Sequence, residues 1–173
     1  MSILEVIKKR RSIRKFKKDK ISKEIVEKLK EALIWAPSAG NLQARKFYFV
    51  FDEDEKVRLA RAAFDQNFII EAPLVIVGCA DMDKISWYGK RGENLYAICD
   101  VAVAIENLML VACAEGLGTC WVGAFKEGEV ADILNLPQNE RPIVICPVGF
   151  PAENPLPPER EDKENLIKEI KNG

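Results

Sequence analysis

The chain has 173 residues, 48% hydrophobic and 31% charged, with a formal net charge of −1. That is enough apolar mass to bury one globular core, and too little positive charge for a general nucleic-acid binder. Histidine is absent, which excludes Ser-His-Asp and Cys-His catalysis, His-containing zinc sites and the commonest general base near neutral pH, so demanding chemistry falls to a bound cofactor.

In chain order, Ser2 and Glu5 stand at capping-box spacing before Ile3, Val6 and Ile7, predicting a short helix that runs into arginines. Ser22 caps a second helix whose apolar positions Ile25, Val26, Leu29, Leu33 and Ala36 recur at helical spacing until Pro37. Residues 37–45 read as a loop, Lys46 to Phe51 as a strand, Asp54 to Phe64 as a surface helix and Leu74 to Cys79 as a buried strand. Residues 81–92, with Trp87, Tyr88, Gly89 and Gly92, read as a long polar-aromatic connection, a lid or specificity loop.

A helix from Glu93 to about Glu115 follows, apolar almost all round, which predicts burial in the core and against a second copy. Its stretch from Leu95 to Ala114 imitates a membrane span, but Asp100, Glu106 and Asn107 in its middle argue for a buried helix instead. Thr119 to Ala124 and Ile143 to Phe150 read as strands separated by a helix from about Glu127 to Asn135. A proline-rich stretch, Pro151 to Arg160, leads to a charged helix from about Asp162 to Lys171. The order predicts an α+β arrangement in a single domain over residues 1–173. Cys79, Cys99, Cys113, Cys120 and Cys146, odd in number, without C-x-x-C spacing and set among apolar neighbours, read as reduced core residues of an intracellular protein. The early basic turn of the N-terminus argues against a signal peptide, so a cytoplasmic location is expected.

Three clusters go beyond secondary structure. Nine of the thirteen residues from Lys8 to Lys20 are cationic against one acid, a local charge of +8. Within it, Arg10-Arg11-Ser12-Ile13-Arg14-Lys15-Phe16 alternates guanidinium forks and a hydroxyl with apolar anchors, the inventory needed to grip a phosphate. Ala36-Pro37-Ser38-Ala39-Gly40-Asn41-Leu42-Gln43 is a loop of small residues that admits a flat ring, with amides able to pair with ring nitrogens and carbonyls. Gly116-Leu117-Gly118-Thr119-Cys120-Trp121-Val122-Gly123 leads from a helix end into a strand and exposes backbone N–H groups. Each alone has an ordinary explanation as a solvated face, a turn or a C-cap; their conjunction points to an anionic, planar ligand. The usual phosphate loops do not fit: Gly116-x-Gly118 is not completed as G-x-G-x-x-G, and Gly123-x4-Gly128 is followed by Glu129 where a P-loop needs lysine.

With these motifs in this order, together with Ala72-Pro73, Tyr88-Gly89, Asp100 and Asn107, Val148-Gly149-Phe150-Pro151 and Pro157-Pro158-Glu159-Arg160, the chain resembles the FMN-dependent nitroreductase (NADH oxidase/flavin reductase) family over nearly its whole length. The resemblance implies a central, mainly antiparallel sheet flanked by helices, with a long buried helix at a homodimer interface and FMN between the subunits. By position, Arg10, Ser12 and Arg14 would hold the FMN phosphate and ribityl chain, with Arg11 near the ring and Arg160 reaching back to the phosphate. Pro37, Ser38, Ala39, Asn41 and Gln43 of the other subunit would cover the isoalloxazine. Trp121, Val122 and Gly123 would run under it, the Gly123 N–H facing N5.

The implied activity is ping-pong hydride transfer from NADH or NADPH to a small-molecule acceptor such as a nitroaromatic, quinone or flavin. No catalytic side chain, metal, nucleic acid or membrane is expected. The alternatives are a flavin-storage protein without turnover and a specialised flavin-fragmenting or dehalogenating relative. Ala39 stands where many relatives carry serine, and Glu159-Arg160 where a more basic pair is common.

Overall fold

The structure, a computed structural model, describes residues 1–171; Asn172 and Gly173, the end of the expected domain, lie outside the described residues. The elements are α1 Ile3–Lys9, α2 Lys23–Ile34, β1 Arg45–Val50, α3 Glu53–Ala62, α4 Phe68–Glu71, β2 Leu74–Asp81, α5 Met82–Ile85, α6 Gly89–Arg91, α7 Ala97–Ala114, β3 Gly118–Thr119, α8 Glu127–Leu134, β4 Glu140–Gly149 and α9 Lys163–Leu166. Ser2 closes the predicted capping box with Glu5, while Ser22 and Asp52 accept from the Ile25 and Glu55 N–H groups to start α2 and α3. Each cap satisfies a backbone donor that the first helical turn leaves without a partner.

The strands form one antiparallel sheet in the order β1-β2-β4-β3. Strand periodicity sends alternate residues to opposite faces. Leu74, Ile76, Ala80, Val144, Cys146 and Val148 pack with Leu29 and Leu33 of α2 and with Val101, Ile105 and Leu108 of α7. Val75, Val77, Cys79 and Ile145 pack on the other side with Leu59, Ala60, Ile69, Val130 and Ile133. Helices therefore cover both faces, which is why β2 and β4 read as nearly unbroken apolar runs despite being antiparallel.

Three expectations are corrected. Residues 81–92 are not an open connection: α5, a 3-10 turn at Ser86–Tyr88, α6 and a π turn at Gly92–Tyr96 run directly into α7. Glycines at 89 and 92 suggest a loop, but Gly92 packs against Ile85 and Tyr88, which holds the turns together, while Gly89 takes a positive φ of 55° between them. The expected strand over 119–124 shrinks to Gly118–Thr119 plus one bridge between Val122 and Ile145, because beyond Cys120 only Val122 stays against β4 while Trp121 and Gly123 are exposed. The expected terminal helix is one turn, Lys163–Leu166, with no buried residue to extend it. Among the described residues one helical stretch, Met82–Ala114, is long and apolar enough to cross a membrane; its α7 portion instead fills the core and buries Asp100.

Of the five cysteines expected in the core, Cys79, Cys113, Cys120 and Cys146 are buried, but Cys99 is exposed on α7. Burial pushes the Cys79 thiol up from 9.0 to about 12, and moves Cys120 and Cys146 upward as well. These folded values lie above the unfolded one. The stability they carry is therefore complete below pH 9.0 and is lost as pH rises toward about 12. An aromatic disulfide reagent near neutral pH should leave Cys79, Cys120 and Cys146 unmodified until denaturant is added, and denaturation midpoints should fall across that alkaline window.

Candidate functional site

The basic segment is fixed to the sheet by backbone pairing. The Ile13 N–H donates to the Thr119 carbonyl at 2.9 Å, Lys17 N–H to Phe150 O at 2.8 Å, and Ala152 N–H to Lys15 O at 2.9 Å. Ser12 bridges Thr119, and Phe16 bridges Pro151. This extended pairing buries Ile13 and Phe16 while Ser12, Arg14 and Lys15 stay exposed. Gly118 makes the close approach possible, since a Cβ there would lie 2.5 Å from Cγ1 of Ile13.

The outward groups converge. Arg10, Arg11, Ser12 and Arg14 line a cleft of about 290 Å³ with Pro155, Leu156, Pro158 and Arg160. Arg10 Nε lies 3.7 Å from Glu106, a long contact, and Arg11 Nη1 turns back to the carbonyls of Lys8 and Arg10 at 2.6 and 2.7 Å. The carboxylate of Glu153 accepts from the Arg14 backbone N–H at 2.5 Å, and the Arg14 guanidinium lies over the Phe68 ring at 6.0 Å. Among the described residues, the guanidiniums of Arg11, Arg14 and Arg160 have no carboxylate partner. Such a concentration of donors favours an anion with several oxygens.

The Pro37–Gln43 loop is built around a buried charge. Arg45 donates to the carbonyls of Ile34, Ala36, Pro37 and Asp100 at 3.3, 2.5, 2.7 and 3.2 Å. Burial lowers its pKa, and Asp100 opposes that. Asp100 Oδ1 accepts from the Ala39 N–H at 2.9 Å, and Ser38 Oγ accepts from the Gln43 N–H at 3.0 Å. These contacts hold Gly40, Asn41 and Gln43 in the left-handed region, with φ of 55°, 54° and 53°, which only glycine adopts at no cost. Pro37, Ser38 and Ala39 line a cleft of about 280 Å³ with Tyr96, Cys99, Asp100 and Val103, while the Asn41 and Gln43 side chains are exposed. This cleft shares no lining residue with the arginine cleft, so one chain does not bring the two together.

Trp121 is half-exposed and lines neither cleft. Val122 is buried, its N–H and C=O pairing with Ile145 at 2.9 and 3.0 Å, so its side chain belongs to the core. The Gly123 N–H has no acceptor among the described residues. Gln66 tethers this stretch by donating to Ala63 O and Ala124 O at 2.9 and 3.2 Å. Arg45, the support of the loop, is not among the residues expected at the site. Its signal was an arginine at the head of an apolar strand, facing an aspartate inside an apolar helix.

Arg45→Ala leaves four carbonyls without their donor and should cost about 3 kcal/mol, within the usual range for breaking a buried polar network. Urea unfolding checks this. Gly118→Ala should cost roughly 1–3 kcal/mol by displacing Ile13, as overpacking does.

The sequence profile of the Nitroreductase family matches residues 7–75 and 65–150. The NADH dehydrogenase of Thermus thermophilus is 30% identical over 187 residues, covering 92% of this chain and 91% of that protein. The structure of the NADPH:FMN oxidoreductase from Vibrio harveyi complexed with NAD+ superposes with a TM-score of 0.90 at 25% identity, over 99% of this chain and 78% of the other. A nitroreductase family protein from Clostridium novyi NT superposes with a TM-score of 0.80 at 32% identity, over 88% and 87%. A profile match running from the first helix through the last strand, on a framework shared with these structures, makes this chain a member of the nitroreductase family.

Proposed function

We propose that this chain is a cytoplasmic, single-domain FMN-dependent oxidoreductase that works as a homodimer. It uses NADH or NADPH to reduce nitroaromatics, quinones or flavins. The observation that carries this reading is the cleft of Arg10, Arg11, Ser12, Arg14 and Arg160, where residues far apart in sequence offer an anion the guanidiniums of Arg10, Arg14 and Arg160 and a hydroxyl. The terminal phosphate of FMN matches that donor set in charge and in number of acceptor oxygens. Arg10, Ser12, Arg14 and Arg160 would hold the phosphate and ribityl chain. Arg11, turned onto carbonyls of its own helix end, would contribute through its backbone.

When bound, FMN supplies the hydride chemistry that no side chain here provides. The protein contributes orientation and charge. The free Gly123 N–H is a donor for a ring nitrogen, and small residues at Ser38 and Ala39 leave room for a flat ring. Nicotinamide and acceptor would use one place in turn, which is the ping-pong order.

A second copy is supported by what one chain leaves open. Ile3, Ile34 and Trp35 are 78%, 65% and 81% exposed, and Ile3, Ala32, Trp35, Leu110 and Val111 line a groove of about 700 Å³ between α1, α2 and α7. Exposed apolar area of this kind marks an interface. A partner seated there would also supply the Pro37–Gln43 loop that one chain keeps apart from its own arginine cleft.

Arg160→Ala and Arg14→Ala should each weaken FMN binding by about 2 kcal/mol, roughly a thirtyfold rise in Kd, measured by flavin fluorescence. Wild-type protein should purify yellow, sediment as a dimer and bleach when mixed anaerobically with NADH. Protein that stays colourless after incubation with excess FMN would sink the proposal, and flavin retained without bleaching would point to storage instead of turnover.

A further inference from the structure

Between β2 and α7 the chain carries an aromatic and cationic cluster that the cofactor reading does not use. The π turn at Gly92–Tyr96 interrupts the helical run here, and such turns redirect side chains, often at functional sites. The Tyr88 and Tyr96 rings meet edge to face at 5.3 Å. Tyr88 leans on the flavin-covering loop so closely that a Cβ on Gly40 would lie 2.5 Å from its hydroxyl. Tyr96 itself lines the cleft with Pro37, Ser38 and Ala39.

Arg91 is fastened to that tyrosine twice. Its Nε donates to the Tyr96 hydroxyl at 3.0 Å, and its guanidinium carbon lies 5.6 Å from the Tyr96 ring centroid. Among the described residues the remaining guanidinium N–H groups have no acceptor, and no carboxylate pairs with Arg91. An exposed arginine usually loses much of its binding energy to side-chain ordering; one already stacked and hydrogen-bonded presents its fork preformed. Arg91 does not itself line the cleft; it borders it through Tyr96, which does. Asp100 lines the cleft, is 4% exposed, and its Oδ2 is buried with no donor among the described residues. An anionic substituent on a ligand in the cleft is therefore better placed at the rim beside Tyr96, where Arg91 offers its fork, than against Asp100.

We infer that Arg91, at the Tyr96 rim of the Pro37–Ala39 cleft, is a specificity-determining residue that selects ligands carrying a carboxylate or phosphate beside their reacting ring. The inference rests on the oxidoreductase reading and adds the charge of the ligand to it. The anionic group belongs either to an acceptor, such as an aromatic carboxylate, or to the phosphates of the nicotinamide nucleotide.

The test compares wild type, Arg91→Ala and Arg91→Lys as flavin-loaded holoprotein, with para-nitrobenzoate and nitrobenzene as acceptors and NADH and NADPH as donors. FMN content is measured on the same preparations. Arg91→Ala should lower kcat/KM for para-nitrobenzoate by about tenfold, mainly through KM, while nitrobenzene changes less than about threefold and FMN content stays at the wild-type value. Arg91→Lys should recover part of the loss, since it keeps the charge without the fork.

Equilibrium dialysis of para-nitrobenzoate against the oxidised protein should show the same weakening without turnover. If the KM values for NADH and NADPH rise about tenfold while the two acceptors keep their ratio, the nucleotide phosphate is the group selected. Equal losses with both acceptors at unchanged nucleotide KM, no change at all, or loss of FMN from Arg91→Ala would overturn the inference. Wild-type protein that holds no FMN and oxidises no NADH would defeat the oxidoreductase reading instead, and dialysis would still decide whether Arg91 favours the charged ligand over nitrobenzene.

Discussion

The site depends on holding an arginine-rich segment against the sheet despite its own repulsion. Adjacent guanidiniums in water repel by about 1 kcal/mol at 4 Å. Burying Ile13 and Phe16 contributes roughly 1.5–3 kcal/mol each, and backbone bonds to Thr119 and Phe150 set the register. Hydrophobic anchoring therefore wins, and Arg10, Arg11 and Arg14 line one cleft with Arg160. The same pairing ties the start of the chain to β3 and to the segment after β4, which is why residues nearly the length of the chain apart meet there.

A second constraint works in the opposite sense. The Pro37–Gln43 loop adopts three left-handed residues, two of them not glycine, a conformation that costs of order 1–3 kcal/mol for each such residue. The carbonyl cage of Arg45 and the Asp100–Ala39 bond offset that cost from below. Tyr88 adds support from above, against Gly40. A loop secured on both sides keeps its shape without a ligand, and it lies away from the arginine cleft of its own chain, which is why the proposed site calls on a second copy.

Much of this is legible from residue types. The Ser2, Ser22 and Asp52 caps have local causes, and the alternation of Ile13 and Phe16 with cations is enough to mark both as anchors. The helical nature of residues 82–96 is not legible, because glycines and aromatics signal a loop locally, and only packing of Gly92 against Ile85 and Tyr88 makes helical turns the better arrangement. The second apolar strand read after Gly118 fails for a related reason. Val122 finds one partner in Ile145, but its neighbours Trp121 and Gly123 turn outward.

Read locally, the chain already offers an arginine-rich segment suited to an anion, a small-residue loop, no histidine, and apolar patterns that oblige a covered sheet. These follow from side-chain type and short-range periodicity. Packing of distant elements is what brings Arg160 to Arg10, sets Arg45 rather than a loop residue beneath the loop, turns the Val122 side chain to the core and stacks Arg91 on Tyr96. Those outcomes depend on contacts between residues distant in sequence, whose geometry is set by how the sheet and α7 pack and leaves no local mark on the chain.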